Sequence, residues 1–109
     1  MALSETIPSA PPYVAWSTAT AAVIPSEEWP TVFSSMQVLK AHVQEYPGCQ
    51  KFEAFVQPSG ADIRVHCYTT WDTPEQLEGF LERGYTFDRM LADVVELTAE
   101  PTRVMEKIF

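Results

Sequence analysis

The stretch HCYTTWDTPEQLEGF, which runs from His66 to Phe80, changes its hydrophobic period in the middle. Before Trp71 the residues follow the pattern of a strand, in which successive side chains point to opposite faces. Thr73 and Pro74 then predict the start of a helix, with the threonine as N-cap and the proline at the first helical position. A strand that leads directly into a capped helix fixes the order of these two elements and constrains the fold of the whole chain.

The same periods assign the other elements. A helix with apolar residues at three- and four-residue steps ends at Pro47-Gly48, and Ser26 is its candidate N-cap. Pro58-Ser59-Gly60 is a turn that joins two strands into a hairpin, and Gly84 interrupts the second helix. The predicted order is strand, helix, strand, strand, broken helix, strand, at residues 13–23, 27–45, 51–57, 62–71, 73–97 and 101–109.

This order predicts an α+β domain with the split βαβ pattern of the ferredoxin-like fold, a four-stranded antiparallel sheet with helices on one face. The other face of the sheet then needs a cover. On the third strand that face would carry Arg64, His66, Tyr68 and Thr70, a polar and aromatic set that suits a partner subunit better than a sealed core. We therefore expect a homodimer.

Length and charge restrict the organisation and the partners. With 109 residues and 46% hydrophobic composition, the chain suits one domain at residues 13–109, preceded by a flexible Pro-rich arm at residues 1–12. The net charge of −8 opposes binding to nucleic acid or to an anionic membrane surface. No apolar run suits a membrane span or a signal peptide, so we expect a cytoplasmic protein. Cys49 and Cys67 form neither a disulfide framework nor a zinc-ligand spacing, which predicts two free thiols.

Three segments resemble the antibiotic biosynthesis monooxygenase (ABM) family of the dimeric α+β barrel superfamily. They are the helix that ends in YPGCQKFEAF, the strand that ends in WDT, and the helix PEQLEGFLERG with the apolar helix after it. The resemblance covers residues 13–109. It implies that two subunits pair sheet to sheet and that each keeps a pocket between its own sheet and helices.

The residues that carry chemistry in this family match only in part. Trp71 corresponds to the strand-end tryptophan of the family. Phe80 stands where many members have a histidine or, in haem degraders, a tryptophan. Met90 and Ala19 replace the axial histidine and the strand-one asparagine of the haem-degrading branch. Haem degradation is therefore disfavoured.

Three polar residues are candidates for catalysis. Arg89 corresponds to an arginine of the quinone-forming monooxygenases, and together with Tyr85, four residues earlier, it would bind or polarise a substrate oxygen. The alternative for this pair is an exposed tyrosine packed on an arginine stem. His66 would transfer a proton or, alternatively, lie in the subunit interface. His42 lies off the apolar stripe of its helix, which predicts a solvated side chain.

Strand parity predicts the walls of the pocket. Val65, Cys67 and Thr69 share the face of Trp71, where Cys67 is a buried filler rather than a nucleophile and Trp71 both packs and contacts ligand. The small residues at positions 15, 17, 19 and 21 would leave space beside them. Such a pocket is mostly apolar and suits a flat aromatic or polyketide-like molecule. From the helices it would gain Phe33, Met36, Phe80, Tyr85 and Met90.

No Gly-rich phosphate loop, metal-ligand cluster or Ser/His/Asp arrangement can be recognised, so we expect no flavin, metal or haem. The first hypothesis is a cofactor-independent monooxygenase acting on a phenolic or polycyclic aromatic metabolite. The same pocket suits a cyclase, isomerase or decarboxylase of such a metabolite. The rival is a non-catalytic dimeric module that binds a small molecule or serves as an interaction domain. An enclosed cavity beside Trp71, with Tyr85, Arg89 or another polar group pointing in, would favour an enzyme, and a filled core there would favour the module.

Overall fold

The computed structural model describes residues 14–109, so the predicted arm at residues 1–12 lies outside the described part of the chain. The order of elements is the predicted one, with the second helix divided in two. The strands are β1 (Ala15–Pro25), β2 (Cys49–Ser59), β3 (Asp62–Trp71) and β4 (Arg103–Lys107), and the helices are α1 (Trp29–Gln44), α2 (Pro74–Arg83) and α3 (Phe87–Val94).

The strands form one antiparallel sheet in the order β2-β3-β1-β4, which confirms the ferredoxin-like fold. β1 and β3 occupy the centre and pair along their length, with Trp16 opposite Trp71 and Thr18 opposite Thr69. β2 and β4 are the edge strands. The two central strands therefore present a continuous surface on which the helices pack.

The hairpin between β2 and β3 turns later than the sequence predicts. Ser59 pairs with Asp62, so the turn consists of Gly60 and Ala61. Gly60 has a φ of 62°, a conformation that glycine adopts without steric cost. Pro58 belongs to β2, and it is tolerated there because an edge strand has N–H positions that need no partner in the sheet.

The prediction that Ser26 caps α1 is wrong. The Ser26 hydroxyl donates to the carbonyl of Ala61, in the turn between β2 and β3. Residues Ser26–Glu28 form a short 3-10 turn, and α1 begins only at Trp29, with Pro30 in its first turn. A contact between residues that are distant in sequence thus replaces the local cap.

The start of α2 lies where the sequence predicts it. Thr73 is extended, and its hydroxyl oxygen accepts the backbone N–H of Gln76 at 3.2 Å. The Gln76 carboxamide lies over Gly48, whose φ of 86° and close approach leave no room for a Cβ. This contact docks the first turn of α2 on the loop that follows α1.

The orientation of β1 contradicts the expectation that its small residues leave space beside Trp71. Thr18 and Thr20 of β1 line the same interior void as Leu39 of α1 and Phe80 of α2, so the even-numbered side of β1 faces the helices. The small residues at positions 15, 17, 19 and 21 therefore lie on the opposite, open face. They leave no space beside Trp71, and the expectation that they would is wrong.

Candidate functional site

The interior beside Trp71 is filled by aromatic packing. The Trp71 side chain has no solvent exposure, and its ring stacks on Phe80 with centroids 4.9 Å apart. Tyr46 meets both rings edge-on, at 6.4 Å from Trp71 and 5.3 Å from Phe80. The Trp71 indole N–H donates to the Thr69 hydroxyl at 2.9 Å. Trp71 is thus a packed and hydrogen-bonded core residue.

A void of about 20 Å³ remains between the sheet and the helices. Sites for drug-sized molecules occupy roughly 300–1,000 Å³, so this void is too small for an aromatic metabolite. Three residues expected in the substrate pocket, Cys67, Thr69 and Phe80, line it. Val65 and Met90 are fully buried in the hydrophobic core together with Trp71.

Both cysteines are free thiols, as the sequence predicts. Burial raises the pKa of the Cys67 thiol to about 12, and the pKa of Cys49 is also raised, first by burial and then by the nearby charge of Asp72. A thiol with a raised pKa is a poor nucleophile at neutral pH because little thiolate forms. The chemistry of Cys67 thus fits a buried filler.

Tyr85 points its hydroxyl outward, where it donates to Asp93 Oδ2 at 3.0 Å. The pKa of Tyr85 is raised, by desolvation first and then by the hydrogen bond and charge of Asp93. The phenol therefore stays protonated at neutral pH and has an acceptor already. This arrangement directs the Tyr85 hydroxyl to α3 and away from the void.

Arg89 binds backbone carbonyls. Its guanidinium donates to the carbonyl of Gly84 and, at 2.8 Å, to that of Leu81. These carbonyls lie at the C-terminal end of α2, where helix acceptors lack intrahelical partners. Arg89 thus binds the end of α2, and it is not among the residues that line the void.

His66 lies on the opposite side of the sheet. Its Nε2 is 3.4 Å from Gln57 Oε1 on the open face. The sheet separates His66 from the connection between α2 and α3, where Tyr85 and Arg89 are found. The three residues expected to carry catalysis are therefore not brought together.

His42 corrects a further prediction, because it is half-buried instead of solvated. Its Nε2 accepts the backbone N–H of Tyr85 at 3.1 Å, and its ring meets Tyr46 and Tyr85 edge-on. The bond ties the last turns of α1 to the connection between α2 and α3. Helical periodicity could not reveal it, because the partner is a backbone group 43 residues away.

A second space lies on the outside of the domain, between α1 and the edge strand β2, and it measures about 470 Å³. We call it the α1–β2 groove. Phe33 and Met36, both expected as substrate contacts, belong to it, and Phe33 is 48% exposed. Trp29 and Phe33 lie with ring centroids 5.7 Å apart. The groove is lined from α1 by Trp29, Phe33, Met36, Gln37 and Lys40, and from β2 by Phe52, Ala54 and Val56.

The groove is formed by residues at helical spacing on α1 and by alternate residues of β2. On α1 its residues follow helical spacing beside the stripe that enters the core, whereas Phe52, Ala54 and Val56 alternate along one face of β2. Sequence reasoning did not select Gln37 and Lys40, the polar residues of the groove. Helical spacing from Phe33 places Gln37 and Lys40 on its side of α1, but their relation to β2 depends on the packing of the two elements.

Comparison with known proteins identifies the fold. No family model matches the chain, and no curated protein matches it. A “putative antibiotic biosynthesis monooxygenase” from Nitrosomonas europaea aligns over 92% of this chain and 94% of its own length, with 16% identity and a TM-score of 0.65. A conserved protein from Methanosarcina mazei aligns over 87% and 94%, with 11% identity and a TM-score of 0.70. A protein from Bordetella bronchiseptica with the same “putative” monooxygenase name reaches a TM-score of 0.61 at 14% identity, over 85% and 94%.

This chain has the ferredoxin-like α+β fold of these proteins. The resemblance to the ABM family that was drawn from the sequence is confirmed at the level of the fold. Structural similarity at these sequence identities indicates a shared architecture and not a shared activity. Across residues 14–109, none of the helices has the length and apolar character to span a membrane.

Proposed function

We propose that this protein binds a flat aromatic metabolite in the α1–β2 groove. The observation that carries the proposal is the groove itself, whose volume of about 470 Å³ falls within the range of roughly 300–1,000 Å³ for small-molecule sites. The interior void is too small for the same ligand. A filled core beside Trp71 favours the binding module over the enzyme whose active site would lie there.

The walls of the groove suit a planar ring system. Trp29 and Phe33 offer aromatic surface on one side, and alternate residues of β2 offer a flat apolar surface on the other. Aromatic rings bind one another in offset or edge-to-face arrangements, and their burial contributes a large hydrophobic term. A polycyclic phenol would bury both of its faces in such a slot.

Lys40 selects an anionic ligand. It is one of only seven basic residues in a chain of net charge −8, and it lines the groove beside Gln37. An acidic phenol or a carboxylate would be attracted to this exposed ammonium group. The ligand class is therefore an aromatic molecule with an acidic hydroxyl or carboxyl group.

Fluorescence titration tests the binding site. Trp29 fluorescence should be quenched by a panel of anthrones and polycyclic phenols, and Phe33→Ala should weaken binding roughly tenfold because an aromatic wall is lost. Val38→Ala is the matched control, since Val38 is an exposed apolar residue of the same helix that does not line the groove. Equal affinity for the parent protein and Phe33→Ala would remove the groove as the site.

A second candidate is oxygenation of the bound metabolite without a cofactor. It is favoured by Lys40, because an ammonium group beside apolar walls would stabilise the aromatic anion that reacts with dioxygen. In such a reaction an anthrone methylene becomes a carbonyl. One oxygen atom of O₂ enters the product, the other leaves as water with the two methylene hydrogens, and the substrate supplies the electrons.

Oxygen uptake and product mass test this second candidate. Incubation under labelled dioxygen should place one labelled atom in the product, and Lys40→Gln should slow the uptake while the fold is retained. A product of unchanged mass would assign cyclase or isomerase chemistry, and loss of carbon dioxide would assign a decarboxylase. Ligand binding without any conversion would end the oxygenase candidate and keep the binding module.

The open face of the sheet supports a homodimer as part of this proposal. It carries exposed apolar side chains from three strands, namely Val23, Phe55 and Met105, and Tyr68 meets Phe55 edge-on at 5.8 Å. Apolar groups clustered on one face mark an interaction surface. Light scattering at micromolar concentration should give the mass of two chains, and a monomer would refute the dimer.

A further inference from the structure

The void between the sheet and the helices has a mixed lining, in which five threonines and one cysteine stand among six apolar residues. Its volume of about 20 Å³ exceeds the roughly 10–15 Å³ that one water molecule needs. Helix side chains such as Leu39, Val43 and Phe87 close it on one side. Its polar lining residues are Cys67 and five threonines, namely Thr18, Thr20, Thr69, Thr86 and Thr102.

The first pair of hydroxyls has one hydrogen to spare. Thr18 and Thr69 lie opposite each other on β1 and β3 with their oxygens 2.5 Å apart, so one donates to the other. The Trp71 indole N–H is a donor only, and it uses a lone pair of Thr69. Two hydroxyls carry two hydrogens, and this contact uses one. Within residues 14–109, the second hydrogen has no acceptor.

The second pair repeats this arrangement. Thr20 and Thr102 have their oxygens 2.9 Å apart, and one hydroxyl donates to the other. Again one hydrogen of the pair lacks an acceptor among the described residues. When Thr102 is the donor, the spare hydrogen lies on the buried Thr20, where leaving it unsatisfied carries a desolvation cost.

The void also offers acceptors. The Thr86 hydroxyl donates to Asp88 Oδ1 at 2.5 Å, so its hydrogen is used and its oxygen lone pairs are left to accept. The sulfur of Cys67 is a further, weaker acceptor. The lining therefore presents two spare donors and at least two acceptors, and it contains no charged side chain.

We infer that this void binds one structural water molecule, which accepts from the Thr18–Thr69 and Thr20–Thr102 pairs and donates to Thr86 and Cys67. Water is the ligand that fits, because it accepts two hydrogen bonds and donates two, and the volume admits a molecule of that size. An ion would lack a countercharge. The bound water joins the two central strands to the segment before β4 and to the entry of α3.

Oxygen-17 relaxation dispersion of the full chain tests the inference, because it counts long-lived internal waters and is not affected by exchange of hydroxyl hydrogens. Thr20→Val keeps the shape and removes the buried hydroxyl of the second pair, so its dispersion amplitude should fall by one water. Thr20→Ser should retain the amplitude. Thr70→Val is the matched control, because Thr70 pairs with Ser17 at 3.2 Å on the opposite face of the same strands.

The measured amplitudes distinguish a void that binds water from one that is dry. An amplitude that falls in Thr20→Val and is unchanged in Thr70→Val supports the site. Equal amplitudes in the parent protein and a folded Thr20→Val variant would overturn it. A crystal structure of the parent protein gives an independent result, for which no variant has to fold. Density for a water within hydrogen-bond distance of Thr20 or Thr18 supports the site, and a dry void would overturn it.

Discussion

The void beside Trp71 and the α1–β2 groove beside Trp29 are both bordered by aromatic side chains, yet they differ more than twentyfold in volume, at about 20 and 470 Å³. The void lies above the two central strands, where paired threonines and stacked rings fill the space. The groove lies along β2, which has a partner strand on only one side. A tryptophan at the end of β3 thus marks the interior of this fold but does not determine its volume.

The difference follows from what each strand presents to the helices. β1 directs Trp16, Thr18 and Thr20 inward and its small residues at positions 15, 17, 19 and 21 outward, so the centre is full. β2 presents alternate apolar residues to an α1 face that is partly exposed. Close packing in the centre and incomplete cover at the edge produce two spaces of different volume.

The largest expected effect on stability concerns the packed core around Trp71. Trp71→Ala should lower the free energy of unfolding by about 3–5 kcal/mol, because it opens a large cavity beside Phe80 and Tyr46. Trp29→Ala, in the groove, should lower it by about 1 kcal/mol or less. Urea denaturation of both variants provides the measurement. Equal losses would mean that the groove is as tightly packed as the core.

A smaller effect concerns the hydrogen bonds of the void. Thr69→Val leaves the buried Trp71 indole N–H without an acceptor, which should lower the free energy of unfolding by about 1–3 kcal/mol. Thr70→Val, on the other face, should cost less because its partner Ser17 is only part-buried. If the two variants had the same urea midpoint, the hydrogen bond between Thr69 and the Trp71 indole would contribute no more to stability than the bond between Thr70 and Ser17.

Alkaline pH tests the burial of Cys67. Its pKa is raised to about 12 in the folded state from 9.0, so the unfolded thiol loses its proton first as the pH rises. The stabilising contribution is present below pH 9 and is lost as the pH rises towards 12, by about 1 kcal/mol at pH 10. Other groups titrate in this range, so the measurement is the difference between the parent protein and Cys67→Val in urea melts at pH 8 and pH 10. A constant difference would contradict burial of the thiol.

The smallest effect concerns the end of α2, which closes over the void. Arg89→Ala should lower the free energy of unfolding by about 0.5–1.5 kcal/mol, because two carbonyls lose their donors. Arg83→Ala is the matched control, since Arg83 is largely exposed and its contact with Glu82 is 3.9 Å long. Ligand affinity in the groove should be unchanged in both variants. A selective loss of affinity in Arg89→Ala would restore Arg89 as a ligand contact.

Much of the fold could be predicted because its signals are local. The period of two gives β3 its observed limits, and Thr73 with Pro74 predicts the first residue of α2, since a cap involves neighbours only a few residues away. Ser26 fails as a cap for the opposite reason. Its hydroxyl bonds to Ala61, which the chain brings close only through the hairpin.

The candidate site could be predicted only in part. Strand parity places Cys67 and Thr69 on the helix-facing side with Trp71, and helical spacing brings Phe33 and Met36 to one face of α1. The roles of Tyr85 and Arg89 depend on hydrogen-bond partners. Those partners, an aspartate one turn beyond Arg89 and two backbone carbonyls, cannot be chosen from spacing alone.

The sequence by itself determined the order of elements, the ferredoxin-like fold and the side of β3 that faces the helices, because periodicity and capping are properties of neighbouring residues. Only the tertiary structure decided which face of β1 turns inward. That choice filled the centre of the domain with Thr18, Thr20 and Trp16, and it left the ligand-sized space at the edge, beside β2. The volume left between elements depends on how side chains from distant parts of the chain interdigitate, and a local sequence pattern does not predict it.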